Sequence, residues 1–136
     1  MTWLYRGKPV TEETIEGFSS FVYIITNKIN GRKYIGKKLL SFSKTLKPLK
    51  GRIRKRRSKV PSDWQTYYGS NKELCEDVKK HGPEHFDREI VRFCMTKSEA
   101  SYWEAKLQFE VDAIISDNYY NAWIAVKVHR NKSLAG

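Results

Sequence analysis

The chain has 136 residues, 40% of them hydrophobic and 30% charged, which is the balance of one globular domain rather than of a disordered segment or two domains. It has no apolar run long enough to span a membrane, no secretory core after Met1, and only two cysteines, Cys75 and Cys94, so a disulfide scaffold and a zinc knuckle are excluded and a reducing cytoplasm (a host cell's, if the source is viral) is expected. Twenty-six Lys and Arg against fifteen Asp and Glu give a net charge of +11.

In chain order, residues 1–20 read as an N-terminal arm in which Thr11 can cap a turn or two of helix before Gly17. Phe21 to Thr26 is β-branched and aromatic throughout. Asn27 to Gly31 supplies turn chemistry, and Arg32 to Gly36 returns as a second strand. A basic stretch follows. Lys44, Lys47, Lys50, Arg52, Arg54, Lys55, Arg56, Arg57 and Lys59 stand within sixteen residues without one acidic neighbour, and the rest of the chain is left nearly neutral, 17 basic against 15 acidic. Such crowding favours a polyanion, because neutralising phosphates releases condensed counterions. A patch for solubility or for acidic lipids is the alternative. Pro48, Gly51 and Pro61 predict that this insertion, residues 37–63, is loop-like. Trp64, Tyr67 and Tyr68 close it and either stack bases or anchor it on the core, with anchoring favoured.

Ser70-Asn71-Lys72-Glu73 has the form of a capping box and opens a helix with Leu74 and Val78 on its inner face. His81-Gly82-Pro83 stops it, and Phe86 to Phe93 alternates as a third strand. Thr96 to Glu99 is a second capping box, opening a helix expected to run to about Ile115. The predicted fold is α+β: a small three-stranded antiparallel sheet flanked by helices, with the basic insertion after the first hairpin.

One residue of the last helix breaks the pattern. At about 100° per residue, Ala100, Leu107, Val111 and Ile115 all fall within roughly 60° of Glu104, whereas Glu99 and Glu110 fall outside that stripe. An inward carboxylate is costly unless it is paired or binds a cation, so Glu104 is either a structural ion pair or a ligand for Mg²⁺. Tyr23 and Tyr34 lie in the hairpin, where a buried tyrosine with a bonded hydroxyl is the default reading.

Taken together, Phe21-Val22-Tyr23, Tyr34-Ile35-Gly36, Lys80-His81-Gly82 before a strand, Glu104 on the following helix and Asn121 beyond it resemble the GIY-YIG nuclease family over about residues 20–123. The nuclease domain would then span residues 21–123, with residues 124–136 as a C-terminal tail. The chain departs from the family at three places: Phe21 replaces the first glycine, no histidine follows the second tripeptide, and no arginine follows Tyr34 until Arg52. The resemblance implies DNA phosphodiester hydrolysis, on double-stranded DNA, with one Mg²⁺ or Mn²⁺ at Glu104 and no small-molecule cofactor. It implies Tyr23 as general base helped by Tyr34, an arginine (Arg54 or Arg56, then Lys38 or Lys37) meeting transition-state charge, and Asn121 as a positioning group. Lys37, Lys38, Lys44, Lys47, Lys50, Arg52, Lys55, Arg57 and Lys59 are the expected phosphate contacts. A catalytically silent nucleic-acid-binding protein on the same scaffold is the alternative; a small RNA-binding protein with a chance Tyr-Ile-Gly is a third.

Overall fold

The computed structural model describes residues 2–46, 51, 56–125, 128 and 130, with the side chains of residues 43–46 and 56–59 outside the description. Two short strands open the chain, β1 (Leu4–Tyr5) and β2 (Lys8–Pro9), joined by Arg6 and Gly7 at φ 52° and 80°. Positive φ at both central positions matches the twist of a two-residue hairpin. Helix α1 (Glu12–Ile15) is capped by the Thr11 side chain. Strands β3 (Ser20–Asn27) and β4 (Lys33–Leu39) form the expected hairpin, and β5 (Ser41–Leu46) and β6 (Arg56–Pro61) form a second. Helix α2 (Lys72–His81), strand β7 (Phe86–Cys94) and helix α3 (Lys97–Glu110) complete the order.

The main sheet has five strands, in the order β2-β1-β7-β3-β4, and is mixed because β1 pairs parallel to β7. The predicted antiparallel three, β7-β3-β4, are its centre and one edge, so the class holds and the strand count is corrected. Two-residue strands carry no period-2 signal, and the parallel pairing of Leu4 with Glu89 is non-local. The N-terminal segment contributes Trp3, 1% exposed, whose indole N–H donates to the Trp64 carbonyl at 2.6 Å. The basic stretch needs a second correction: part of it is a two-stranded ribbon, not a loop. The ribbon is a sheet of its own, separate from the main one, so its strands need not present an apolar face to that sheet, and Pro48 and Gly51 stand between them in sequence.

Both faces of the sheet are covered. On one, Phe21, Tyr23, Ile25 and Ile90 pack with Trp3, Trp64 and Leu74. On the other, Val22 and Ile35 pack with Ala100, Leu107 and Val111 of the α3 layer. A bulge in β7 at the Val22/Tyr23 register shift sets Arg92 opposite Val22, and Arg92 stacks on Trp103 of α3 at 3.9 Å.

Both long helices start where the sequence indicates but with altered chemistry. Asn71, not Ser70, caps α2, accepting from Leu74 N–H at 3.0 Å. Thr96 caps α3 as expected, while the Glu99 carboxylate folds back to accept from Met95 N–H at 2.9 Å and is buried, not solvent-facing. Helix α3 ends at Glu110 rather than near Ile115. Asp112 adopts φ 53°, the chain turns out of the helix, and Ile115 is 78% exposed.

Candidate active site at the edge of the sheet

Strand β4 is an edge strand, and a cavity of about 400 Å³ opens beside it. An edge lets side chains from both faces reach one place. Tyr23 and Tyr34 arrive from the Trp3 face, while Lys37, Glu104 and Gln108 arrive from the α3 face. Tyr23 stands opposite Gly36 in the β3–β4 register. A Cβ on Gly36 would meet the Tyr23 hydroxyl, lie 2.6 Å from Tyr23 Cζ and 3.0 Å from Tyr34 Cε2. Gly36 is therefore what lets the Tyr23 ring lie across β4 toward the edge. The Tyr34 hydroxyl is hydrogen-bonded with Ser70 Oγ at 3.1 Å.

Asn121 closes the edge. Its carboxamide accepts from Ile35 N–H at 3.0 Å and donates to Ile35 C=O at 2.8 Å, as a neighbouring strand would. Backbone bonds Lys33 N–H to Asn118 O and Tyr120 N–H to Lys33 O, both 2.8 Å, continue this pairing. Tyr120 fixes the segment: its hydroxyl accepts from Asn27 at 2.9 Å and donates to Asp77 at 2.7 Å, and Arg32 stacks on its ring at 4.1 Å while pairing with Glu73.

Electrostatics distinguish the cavity groups. Burial pushes the Glu104 carboxyl above the ordinary glutamate range, opposed by the charge and backbone amide of Lys37. Among the described residues Glu104 forms no ion pair. Burial pushes Tyr23 well above the usual tyrosine value, reinforced by the neighbouring Tyr67, Tyr34 and Glu104. Burial also raises Tyr34, against the hydrogen bond from Ser70. Among the described residues no cation offsets the shift at Tyr23, so its hydroxyl is a neutral phenol here.

The donor set fits one hard divalent ion. Glu104 offers a carboxylate without an ion pair among the described residues, and Gln108, which lines the same cavity, keeps its Oε1 buried without a hydrogen-bond partner among them. Among the described residues no group of three or more acidic, histidine or cysteine side chains forms a full cage. One carboxylate with open positions is the arrangement Mg²⁺ uses when substrate oxygens and water complete its shell.

Of the sequence-predicted residues, Tyr23, Tyr34, Glu104 and Asn121 share the cavity, and Lys37 lines it, donating to Ser101 Oγ at 2.6 Å. Lys38 points elsewhere: it pairs with Asp63 at 2.6 Å and lies over the Tyr67 ring at 4.0 Å. Arg56 pairs with Leu46 at the end of the ribbon farthest from Ser41–Pro61, about 17 Å along at the usual strand rise. Lys44, Arg57 and Lys59 also lie in the ribbon. Arg54, with Lys47, Lys50, Arg52 and Lys55, lies outside the described residues. The sequence pattern does not single out Gln108, whose signal is its place four residues after Glu104 on one helix face, and it marks Ser70 and Asn71 only as capping residues. Trp64 is 5% exposed and Tyr67 and Tyr68 pack on the core, the anchoring arrangement.

A family model described as "Putative endonuclease segE, GIY-YIG domain" matches residues 3–124. The chain belongs to the segE-type GIY-YIG family. It is 33% identical over 101 residues to "Putative endonuclease segE" of Enterobacteria phage T4, which covers 74% of this chain and 39% of that protein. The chain thus spans about two fifths of that relative's length. No solved structure gives a significant match. The family match begins at residue 3, where Trp3 enters the core. Among the described residues no helix is long and apolar enough to cross a membrane.

Proposed function

We propose that this chain is a metal-dependent DNA endonuclease acting in the cavity at the β4 edge. The observation that supports it most is Glu104: the carboxylate out of place on its helix meets Tyr23 and Tyr34 in one cavity without an ion pair among the described residues. Glu104 holds one Mg²⁺ or Mn²⁺. An ion held there would supply positive charge beside the reacting phosphate and would favour the phenolate of the nearby tyrosine. Tyr23 is the group placed to accept the proton of the attacking water, a role that its raised value makes dependent on positive charge beside its hydroxyl. Tyr34, tied to Ser70, orients the nucleophile. Lys37, the cation among the described residues that lines the cavity, holds a non-bridging oxygen and meets the charge that grows on the pentacovalent phosphate, which leaves the arginines of the basic segment as phosphate contacts. Asn121 and Gln108 act on the Ile35 backbone, fixing the strand that carries Tyr34 and Lys37.

Supercoiled plasmid tests this reading. Nicked and linear products are expected with Mg²⁺ or Mn²⁺ and not with chelator. DNA binding without cleavage under either metal would leave a silent binding protein instead.

The basic segment supplies the affinity. If about six of its cations touch phosphates, log K falls against log salt with a slope near −5. Neutralising Lys44, Lys47 and Lys50 together is expected to flatten that slope by up to about three units while sparing the single-turnover rate at saturating DNA. A lost rate at saturation with an unchanged slope would place those lysines in the chemistry.

A further inference from the structure

We infer that Trp123 is a stacking platform for an unstacked base beside the reacting phosphate, so that the site prefers DNA with a base out of the duplex stack; this rests on the nuclease reading above. The chain has four tryptophans, and three serve packing: Trp3 and Trp64 are 1% and 5% exposed, and Trp103 is half-buried under Arg92. Trp123 is 72% exposed and lines the cavity with Tyr23, Tyr34, Lys37 and Glu104. No other strongly exposed large apolar residue among those described lines it.

The segment that carries it is tethered just ahead of it. Asn121, two residues earlier, is bonded to both backbone groups of Ile35, and Asn71 Nδ2 donates to the Tyr120 carbonyl at 2.8 Å. The indole therefore stands on a tethered segment at the mouth of the cavity. The chemistry of the cavity identifies its occupant. Lys37 and Glu104 provide for a phosphate and its counter-cation, and a nucleotide placed there must put its sugar and base within a few ångströms. A base π-face is the apolar surface that comes attached to a phosphate, and stacking on an indole tolerates any of the four. In an intact duplex those faces are covered by neighbouring base pairs. A platform of this kind is used only when a base is unpaired, frayed or turned out.

Two single strands of equal length and charge test it: oligothymidylate, and the same backbone with abasic tetrahydrofuran sugars. Both are titrated without metal, by anisotropy, against the wild type, Trp123→Phe and Trp123→Ala. The wild type is expected to bind oligothymidylate about ten-fold tighter than the abasic strand. Trp123→Ala is expected to lose that preference with unchanged abasic affinity, and Trp123→Phe to keep part of it. Trp123 fluorescence, isolated as the difference from Trp123→Phe, is expected to be quenched by the thymidine strand alone. An equal loss on both strands, or a base preference that survives in Trp123→Ala, overturns the platform. Because the readout is binding, its failure leaves plasmid cleavage intact, whereas failure of the nuclease reading appears as absent cleavage with the base preference retained.

Discussion

Replacing Glu104 by Gln is expected to abolish metal-dependent cleavage, by about 10³-fold or more, while making the protein more stable at neutral pH. The first effect follows from removing the cavity's carboxylate, since charge stabilisation at a phosphate contributes several kcal/mol. The second follows from burial, which raises the Glu104 carboxyl in the folded state. Between the unfolded and folded values the native protein binds the extra proton, so stability falls as pH rises through that window, and the full cost is present above it. Below the ordinary glutamate range both states are protonated and the cost vanishes. Melting temperatures of wild type and Glu104→Gln at pH 7.5 and at pH 4 check this: the variant is expected to gain at the higher pH and to match wild type at the lower. Retained cleavage would remove Glu104 from the site. A variant destabilised more at neutral than at acid pH would make it a paired structural anion.

Gly36→Ala is expected to damage the site as severely without touching a reactive group. Its Cβ would enter the space of the Tyr23 hydroxyl and ring, and Tyr23 is 1% exposed among close-packed aromatics, so its hydroxyl would be pushed from its place in the cavity. Overpacking of this kind costs about 1–3 kcal/mol, and displacing a reacting group by about 1 Å costs about 10²-fold in rate. Tyr23→Phe is expected to lose cleavage to a similar or greater extent with only about 1 kcal/mol of stability lost, because the ring stays packed. The double variant separates the two causes. If the clash involves the hydroxyl, Gly36→Ala costs less stability when combined with Tyr23→Phe than it does alone, with the ring carbon leaving part of the penalty. Independent, additive losses in urea denaturation would show that Gly36 serves something other than the passage of Tyr23.

The centre of this arrangement was legible because it rests on short-range patterns. The β3–β4 hairpin follows from β-branched and aromatic runs around Asn27–Gly31, and Glu104 announced itself as a charge on an apolar stripe. Features set by distant partners were not legible. Trp3 belongs to the core only because Leu4 and Tyr5 find β7, some 85 positions later in the chain, and no local period reports that. Glu99 lies off the stripe by angle yet is buried, because its carboxylate folds back over the start of the helix to the Met95 N–H, one residue ahead of the Thr96 cap. The end of α3 depended on Asp112 entering the left-handed region, which aspartate tolerates but does not signal. Charge hid the ribbon: propensity rules written for half-buried strands penalise the lysines and arginines that a free-standing pair accommodates.

Where that ribbon leaves the sheet, its two ends are fastened to each other and to the core. Leu40 N–H bonds to Ser19 O at 2.9 Å, Ser62 N–H to Leu40 O at 2.9 Å, and Ser62 Oγ to Leu39 O at 2.5 Å. Residues 41–61 are consequently a cassette plugged into a closed socket. The entropic cost of the segment between fixed ends grows only with the logarithm of its length, about 0.6 kcal/mol per doubling. Under the proposed function, such a socket uncouples how firmly DNA is gripped from how it is cut, since the cassette can change in length, charge or sequence while Tyr34, Gly36 and Lys37 keep their places on β4.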